Sequence, residues 1–377
     1  MAKVLFISNI GKRVGSFSVA SIAAAKKCGL FFYYAANWKA ATNEQRNEDE
    51  KKYGVKLVHI DLERSPYSSN NIKAYKQLVD FVKKERIDYI HCNTPVGGIL
   101  GRIVGEKCKV KKVIYQVHGF HFYDGAPIKN WLIYYPIERW LAKKTDAIIT
   151  INKEDYERAK KFKLRNNGKV YYVPGVGMDL TQYNLPDDTR EKKRKELGVN
   201  SSDIVLISMG DLIERKNYPV AIEAFAKVNN SKLQYFICGQ GPEEKRLIKM
   251  AKDLEVEKQI HFLGYRVDIK ELLCAADIFL FTSKQEGLAR SLMEAMASGL
   301  PCVASRIRGN IDLLEETRGG ILCDSTVEYV DAINEYINCI QRNDKIGESN
   351  KDRIKDFELG LVISELKKIY VKELLNE

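Results

Sequence analysis

The 377-residue sequence has no run of eighteen or more apolar residues, so no segment of it reads as a membrane-spanning helix. It opens MAKVLFISNI, going directly into a strand pattern instead of a signal peptide, so a cytoplasmic location is expected. Its eight cysteines are scattered, with no C-x-x-C and most of them inside apolar stretches, which argues for reduced core residues and against a disulfide framework or thiolate metal ligands. His118 and His121 have no carboxylate or cysteine at ligand spacing, so a metal site is not expected there. No helix-turn-helix, finger or base-stacking motif is present, which weighs against nucleic acid as a partner.

Acidic residues are scarce in one half only. Residues 1–185 carry 32 Lys and Arg against 17 Asp and Glu, whereas the remainder carries 29 against 33. A basic surface serving only solubility is one reading. The asymmetry also fits an anionic partner for the first half, and with nucleic acid disfavoured an anionic membrane surface is the expected one.

What is present is a repeating grammar of short apolar runs and segments of helical period. Strands are expected at Lys3–Ile10, 31–35, 56–62, 89–93, 113–117, 147–151 and 170–173, with helices around 18–28, 72–85, 99–107, 128–144 and 154–163. The run Asp179–Lys195, with TQYNLPDD and a charged patch, has the composition of a linker. The grammar then restarts with strands at 204–209, 233–238, 260–263, 278–281, 302–304 and 320–323, and the chain is helical beyond Tyr329. Strands spaced by helices give an α/β chain of two doubly wound parallel-sheet, Rossmann-like domains with a site in the cleft between them. The domains are taken as 1–180 and 181–355, with an amphipathic helix over 356–377 that can pack back on the first.

EGLARSLMEAMASG, Glu286–Gly299, follows the buried strand 278–281 and contains a helix starting near Ala289. Glu286 is placed in the entering loop and Glu294 in the second turn. A loop entering a helix offers unpaired N–H groups and the positive end of the helix dipole, a hole that suits a phosphate or diphosphate. Two carboxylates flanking it would accept hydroxyl groups, which is the shape of a nucleotide sugar; a solvated carboxylate plus an ordinary helix-face Glu is the plain alternative. GDLIERKN places Arg215 and Lys216 at another strand end, where they could reach a diphosphate or simply form a surface pair. FICGQGPEE is a Gly-rich turn that lacks the third glycine of a dinucleotide fingerprint, since Glu244 stands there. His118 is expected exposed at a strand terminus with Gly119 beside it, and Gly11 and Gly15 lie in the first strand-to-helix turn. No D-x-D pair occurs, so a metal-bridged diphosphate is not suggested. PIKNWLIYYPIERWLAKK, Pro127–Lys144, interleaves aromatic and basic residues. It reads either as an interfacial helix at lipid headgroups or as a core helix with Ile133, Ile137, Trp140 and Leu141 against the sheet.

Together these residues resemble the retaining glycosyltransferases of family 4, which have the two-domain GT-B fold. SKQEGLARSLMEAMASGLPCVAS carries the family's glutamate pair as Glu286 and Glu294, and HGFHFYDGAPIKNWLIYYPIERWLAKKTDAIITINKEDYERAKKF looks like the subgroup of bacterial exopolysaccharide and capsule gene sets. The resemblance implies that Glu286 contacts sugar hydroxyls, Glu294 the ribose, and Gly287, Leu288 and Ala289 the donor through backbone N–H groups. It also implies that Lys216 stabilises the departing diphosphate, and that His118 lies near the donor sugar. Gly15 matches the acceptor-side loop. Gly210 and Gly239 fall at the donor strand ends, and Gly264, Tyr265 and Arg266 could offer backbone groups to uracil. Members often carry Arg directly after the glycine where this chain has Asp211, and Arg215 is the candidate replacement.

The implied activity needs no metal or other cofactor and moves a sugar from a UDP-sugar to a lipid-linked or oligosaccharide acceptor at the cytoplasmic face of the inner membrane. The rivals are the same donor chemistry on a soluble small acceptor, and a catalytically silent membrane-associated subunit.

Overall fold

The computed structural model describes residues 1–342 and 344–375. The chain forms two units, one of Met1–Gly177 with Leu359–Glu377, the other of Met178–Glu358. In the first unit the order is β1 (Lys3–Ile10), α1 (Ser16–Lys27), β2 (Phe31–Asn37), α2 (Asn43–Tyr53), β3 (Lys56–His59), α3 (Asn70–Glu85), β4 (Tyr89–Asn93) and α4 (Pro95–Cys108). It continues with β5 (Lys112–Val117), α5 (Ile128–Ala142), β6 (Ala147–Thr150), α6 (Lys153–Ala159) and β7 (Lys169–Tyr172). The sheet order is β3-β2-β1-β4-β5-β6-β7, with the pairings parallel. Parallel crossovers put helices on both faces, so central strands are buried along their length: Val4 to Ile7 are buried, and so is the whole of β4, its polar His91 and Asn93 included.

The second unit runs α7 (Thr189–Glu196), β8 (Ile204–Met209), α8 (Tyr218–Val228), β9 (Leu233–Cys238), α9 (Glu244–Asp253), β10 (Ile260–Gly264) and α10 (Ile269–Ala275). Then come β11 (Ile278–Phe281), α11 (Arg290–Ala297), β12 (Cys302–Ser305), α12 (Asn310–Leu314), β13 (Gly320–Cys323), α13 (Thr326–Gln341) and α14 (Glu348–Ile354). Its sheet is ordered β10-β9-β8-β11-β12-β13 and is again parallel. The order reverses between β1 and β4 in one unit and between β8 and β11 in the other, and in doubly wound sheets such a switch point is where ligands bind.

The chain returns to the first unit as α15 (Leu359–Tyr370), whose Val362, Leu366, Ile369 and Tyr370 join the core beside α1. Polar contacts fix it there: Tyr370 Oη lies 2.6 Å from His91 Nδ1, and Tyr171 Oη donates to Glu373 at 2.6 Å.

The structure departs from the expected elements in three places. The stretch read as a linker holds α7, packed on α10. Arg194 is buried, donating to the carbonyls of Ala275, Asn200 and Asp203 and to Asp277, and Arg190 donates to the carbonyls of Cys274 and Ala276. Its charges satisfy backbone groups at a strand entrance, a use that composition alone conceals. Likewise α2 (NEQRNEDEKKY) has no apolar stripe. A capping box, Gln45 N to Thr42 Oγ1 at 3.2 Å and Thr42 N to Gln45 Oε1 at 3.1 Å, starts it, and buried Asp49 ties it down. Third, of the α5 residues expected against the sheet only Leu141 is buried; Ile133, Ile137 and Trp140 face outward. Trp131 and Tyr135 take the inner positions, because Glu138 must turn inward to meet buried Arg102 at 2.7 Å, and that sets the rotation of the helix.

Candidate active site

The site begins where β8 and β11 end side by side at the switch point of the second unit. After β8 the chain makes a short 3-10 turn, Glu214–Lys216, and Asn217 adopts a left-handed conformation to enter α8. After β11, Thr282 Oγ1 lies 3.1 Å from the carbonyls of both Lys216 and Asn217, and Lys284 N donates to Arg215 O at 2.8 Å. The two loops are thus stitched together, and the stitching brings three donors to one atom. Glu286 Oε1 accepts from Arg215 Nη1 at 2.6 Å, Lys216 Nζ at 2.7 Å and Ser283 Oγ at 2.8 Å. Lys216 and Glu286 have side chains only 13% exposed, so their attraction is screened less than that of a surface pair. The Lys216 ammonium also stands 4.9 Å from the Phe281 ring centroid.

Close backbone approach makes room for this arrangement. Gly210 and Gly239 follow β8 and β9; a Cβ on Gly239 would lie 1.9 Å from Gly210 O, and one on Gly210 would lie 3.0 Å from Lys216 Cε. Gly264 at the end of β10 accepts Gly239 N at 2.8 Å, so its carbonyl is already engaged within the sheet. Tyr265 is largely exposed, and the Arg266 side chain is paired with Asp268 at 2.7 Å and Glu196 at 3.0 Å. The Gly239–Gln240–Gly241 turn carries the loop after β8: Leu212 N donates to Gln240 O at 2.9 Å and Glu243 N to Leu212 O at 3.0 Å.

Past Glu286 the chain runs through Gly287, Leu288 and Ala289 into α11, whose first turn receives no side-chain cap. Its N–H groups therefore point into the loop as an anion-binding end. Glu294, one turn further, accepts from Arg290 Nε at 2.8 Å, and it raises the pKa of neighbouring Tyr183 beyond what burial alone does.

Two residues here were not singled out from sequence. Ser283 completes the set around Glu286, and Arg308 donates to Glu286 O at 3.1 Å. Gly309 follows with φ 78°, and a Cβ there would lie 2.3 Å from Gly287 O, so the loop after β12 braces the loop before α11. An Arg-Gly three residues past the end of a buried strand was the available signal.

His118 and Gly15 belong to the first unit. His118 follows β5, and the expectation that it is exposed is corrected. Both ring nitrogens are buried without a partner among the described residues, the Phe17 ring meets it edge-on at 5.0 Å, and burial lowers its pKa to about 4. His121 stacks on Tyr134 at 4.6 Å. Gly15 caps α1 with open space around it, while the preceding loop is pinned by α2, since Val14 N donates to Asp49 at 2.7 Å. At this unit's switch point Asn9 Oδ1 accepts from Thr94 Oγ1 and Gly97 N, both at 2.8 Å, and Thr94 is held at φ 63°, uncommon for a β-branched residue. Asn93 Oδ1 and Gln116 Oε1, on adjacent strands in register, are buried without a partner among the described residues.

Residues 189–353 match the family Glycosyl transferases group 1, and residues 39–152 match Glycosyl transferase 4-like. The chain is 29% identical to the EpsD glycosyltransferase of Bacillus subtilis (strain 168), over 98% of this chain and 96% of the relative. It is 28% identical, over 81% of each chain, to an Escherichia coli UDP-Gal:alpha-D-GlcNAc-diphosphoundecaprenol alpha-1,3-galactosyltransferase. The solved structure of Anabaena Alr3699/HepE in complex with UDP and glucose superposes with a TM-score of 0.80 at 19% identity, covering 99% of this chain and 100% of that one.

Proposed function

This chain belongs to the family 4 glycosyltransferases of GT-B fold, and on that premise we propose that it is a retaining enzyme using a UDP-sugar. The acceptor in this reading is a growing glycan on polyprenyl diphosphate, presented at the cytoplasmic face of the inner membrane in exopolysaccharide, capsule or lipopolysaccharide synthesis. The galactosyltransferase's name supports a UDP-sugar donor and a diphosphate-lipid acceptor. No helix among the described residues is long and apolar enough to cross a membrane, which fits peripheral attachment.

The observation that carries the reading is the convergence of Arg215, Lys216 and Ser283 on Glu286 beside the uncapped start of α11. A diphosphate at that helix start draws the two cations toward itself, and Glu286, relieved of part of their charge, accepts a sugar hydroxyl. As the bond from the anomeric carbon to the diphosphate oxygen breaks, negative charge grows on the leaving group where Lys216 and Arg215 are held. The acceptor oxygen forms its bond on the face the diphosphate vacates, and its proton passes to a diphosphate oxygen. Configuration is retained without a protein nucleophile. Because fixed side-chain cations supply the charge, no divalent metal is required.

A thermal-shift panel of UDP, GDP, ADP and their sugar conjugates, with and without EDTA, tests this. Ligand at a hundred times its dissociation constant adds about 2.7 kcal/mol of apparent stability. UDP and UDP-sugars should raise the melting temperature equally in both conditions. No shift with any nucleotide would sink the enzymatic reading, and a shift abolished by EDTA would sink the metal-free one.

A further inference from the structure

Helix α5 is apolar nearly all round, and such a helix is ordinarily buried on every side. Here one side meets the sheet of the first unit through Trp131, Tyr135, Leu141 and Ala142. The opposite side is open: Ile128 is 77% exposed, Leu132 72%, Ile133 51%, Trp140 50% and Ile137 40%. At 3.6 residues per turn these positions spread over the outward half of the helix, with Ile128 and Ile137 at its two edges and Lys129 and Arg139 among them. An exposed half-surface of five large apolar side chains interspersed with cations marks an interaction surface.

Its charges identify the partner. The one carboxylate on α5, Glu138, is turned inward to Arg102, while Lys129 and Arg139 are exposed on the helix and Lys143 directly after it. The outward face is thus apolar with cations and no anion, on the half of the chain where 32 basic residues stand against 17 acidic ones. A second copy of the chain would bring the same cations together, which opposes self-association.

We propose that α5 is an interfacial helix, its Ile128–Leu132–Ile133–Ile137 face lying among the headgroups and upper acyl chains of an anionic bilayer, with Lys129, Arg139 and Lys143 on lipid phosphates. This deepens the reading of a membrane-presented acceptor and rests on it. The helix is rigidly seated: Arg158 stacks 4.7 Å over Trp131, and buried Arg102 holds Glu138 from below, so the orientation of the apolar face is fixed by the unit's core. Lys144 Nζ stands 4.6 Å from the Trp140 ring, placing an aromatic residue at the cationic end as interfacial helices do.

The test uses the full chain and sedimentation with vesicles of phosphatidylcholine alone or mixed with phosphatidylglycerol. Binding should require the anionic lipid and weaken with salt. It should fall about tenfold or more in Leu132→Asp/Ile133→Asp, and stay unchanged in Ile248→Asp, which alters an exposed apolar residue of the second unit. Quenching of tryptophan emission by brominated lipid, lost in Trp140→Phe, reads the same contact with the apolar face intact. Wild-type protein that ignores anionic vesicles, a double aspartate variant that binds them as well as wild type, or a dimer in lipid-free buffer that the double variant dissolves would each overturn the proposal. The UDP thermal shift of the double variant should equal that of wild type. Vesicle binding without any nucleotide shift would reject the enzymatic reading and leave the docking surface standing, and the converse would reject the docking surface alone.

Discussion

Lys216 Nζ lies 2.7 Å from the same Glu286 oxygen that Arg215 Nη1 approaches to 2.6 Å, so one carboxylate oxygen is shared by two cations. Among the described residues no cation from a neighbouring loop pairs with Glu294, which holds Arg290 on its own helix. The two glutamates therefore differ in function as well as position. Lys216→Ala should lower turnover at saturating donor by roughly 10²–10³-fold, the usual cost of losing one group that stabilises transition-state charge. Glu294→Ala should act mainly on donor KM and leave turnover within a few-fold. Steady-state kinetics on both variants decide this, and equal losses of turnover would show the division of roles to be wrong.

Two glycines separate a packing requirement from a functional one. Gly15→Ala adds a methyl group where nothing lies within 4 Å and φ is −99°, so the melting temperature should not move. Any loss of transfer in that variant reports the loop's contact with substrate. Gly309→Ala instead drives a Cβ to 2.3 Å from Gly287 O at φ 78°, and it should destabilise the chain by about 1–3 kcal/mol and weaken nucleotide binding through the displaced loop. Thermal melts with and without UDP distinguish the two.

Much of this was legible in the sequence because buried parallel strands write themselves as apolar runs: β8, β9 and β11 fall at the expected residues. Glu286 and Glu294 were likewise placed in their loop and second turn by the strand before them and the glycine after them. What sequence could not give depends on charge used inward. The helix Thr189–Glu196 looks like a solvated linker because its arginines satisfy carbonyls elsewhere in the chain, and Asn43–Tyr53 is absent from the expected helices because its one buried side chain is an aspartate. Periodicity also failed on α5, since a helix apolar on both sides has no preferred face until Arg102 selects one.

That selection makes a stability prediction. Arg102 is fully buried, donates twice to Glu138 at 2.7 and 3.1 Å, and lies 3.8 Å from the Tyr115 ring centroid. Removing one partner leaves the other charge uncompensated near the core, so Arg102→Ala should cost about 3–5 kcal/mol. Replacing both, as Arg102→Met with Glu138→Leu, should recover most of that loss. Denaturant unfolding of the single and double variants measures the difference; a double variant as unstable as the single one would show that packing, not charge, holds α5 in place.

His118 gives the pH dependence its sign. Burial of both ring nitrogens lowers the folded-state pKa to about 4, against about 6.5 for an unperturbed histidine. Above pH 6.5 the ring is neutral in both states and contributes nothing. As the pH falls from there toward 4, the unfolded chain takes up a proton that the folded chain refuses, so stability declines. His91, lowered to about 3 by burial and by His118, adds a decline of the same sign. Carboxylates held by lysines, such as Asp61, have pKa values below their ordinary ones and lose stabilisation mainly at still lower pH, so the histidines dominate this window. His118→Gln should therefore flatten the fall between pH 6.5 and 4.5 by roughly 1–3 kcal/mol relative to wild type. Melting temperatures across that range provide the check: parallel curves for the two proteins would mean that the His118 ring protonates as readily in the folded chain as in the unfolded one. The same variant separates structure from chemistry, because a His118 that acts only by packing should leave the pH profile of transfer above 6.5 unchanged in shape, whereas one that touches the sugar should alter turnover there too.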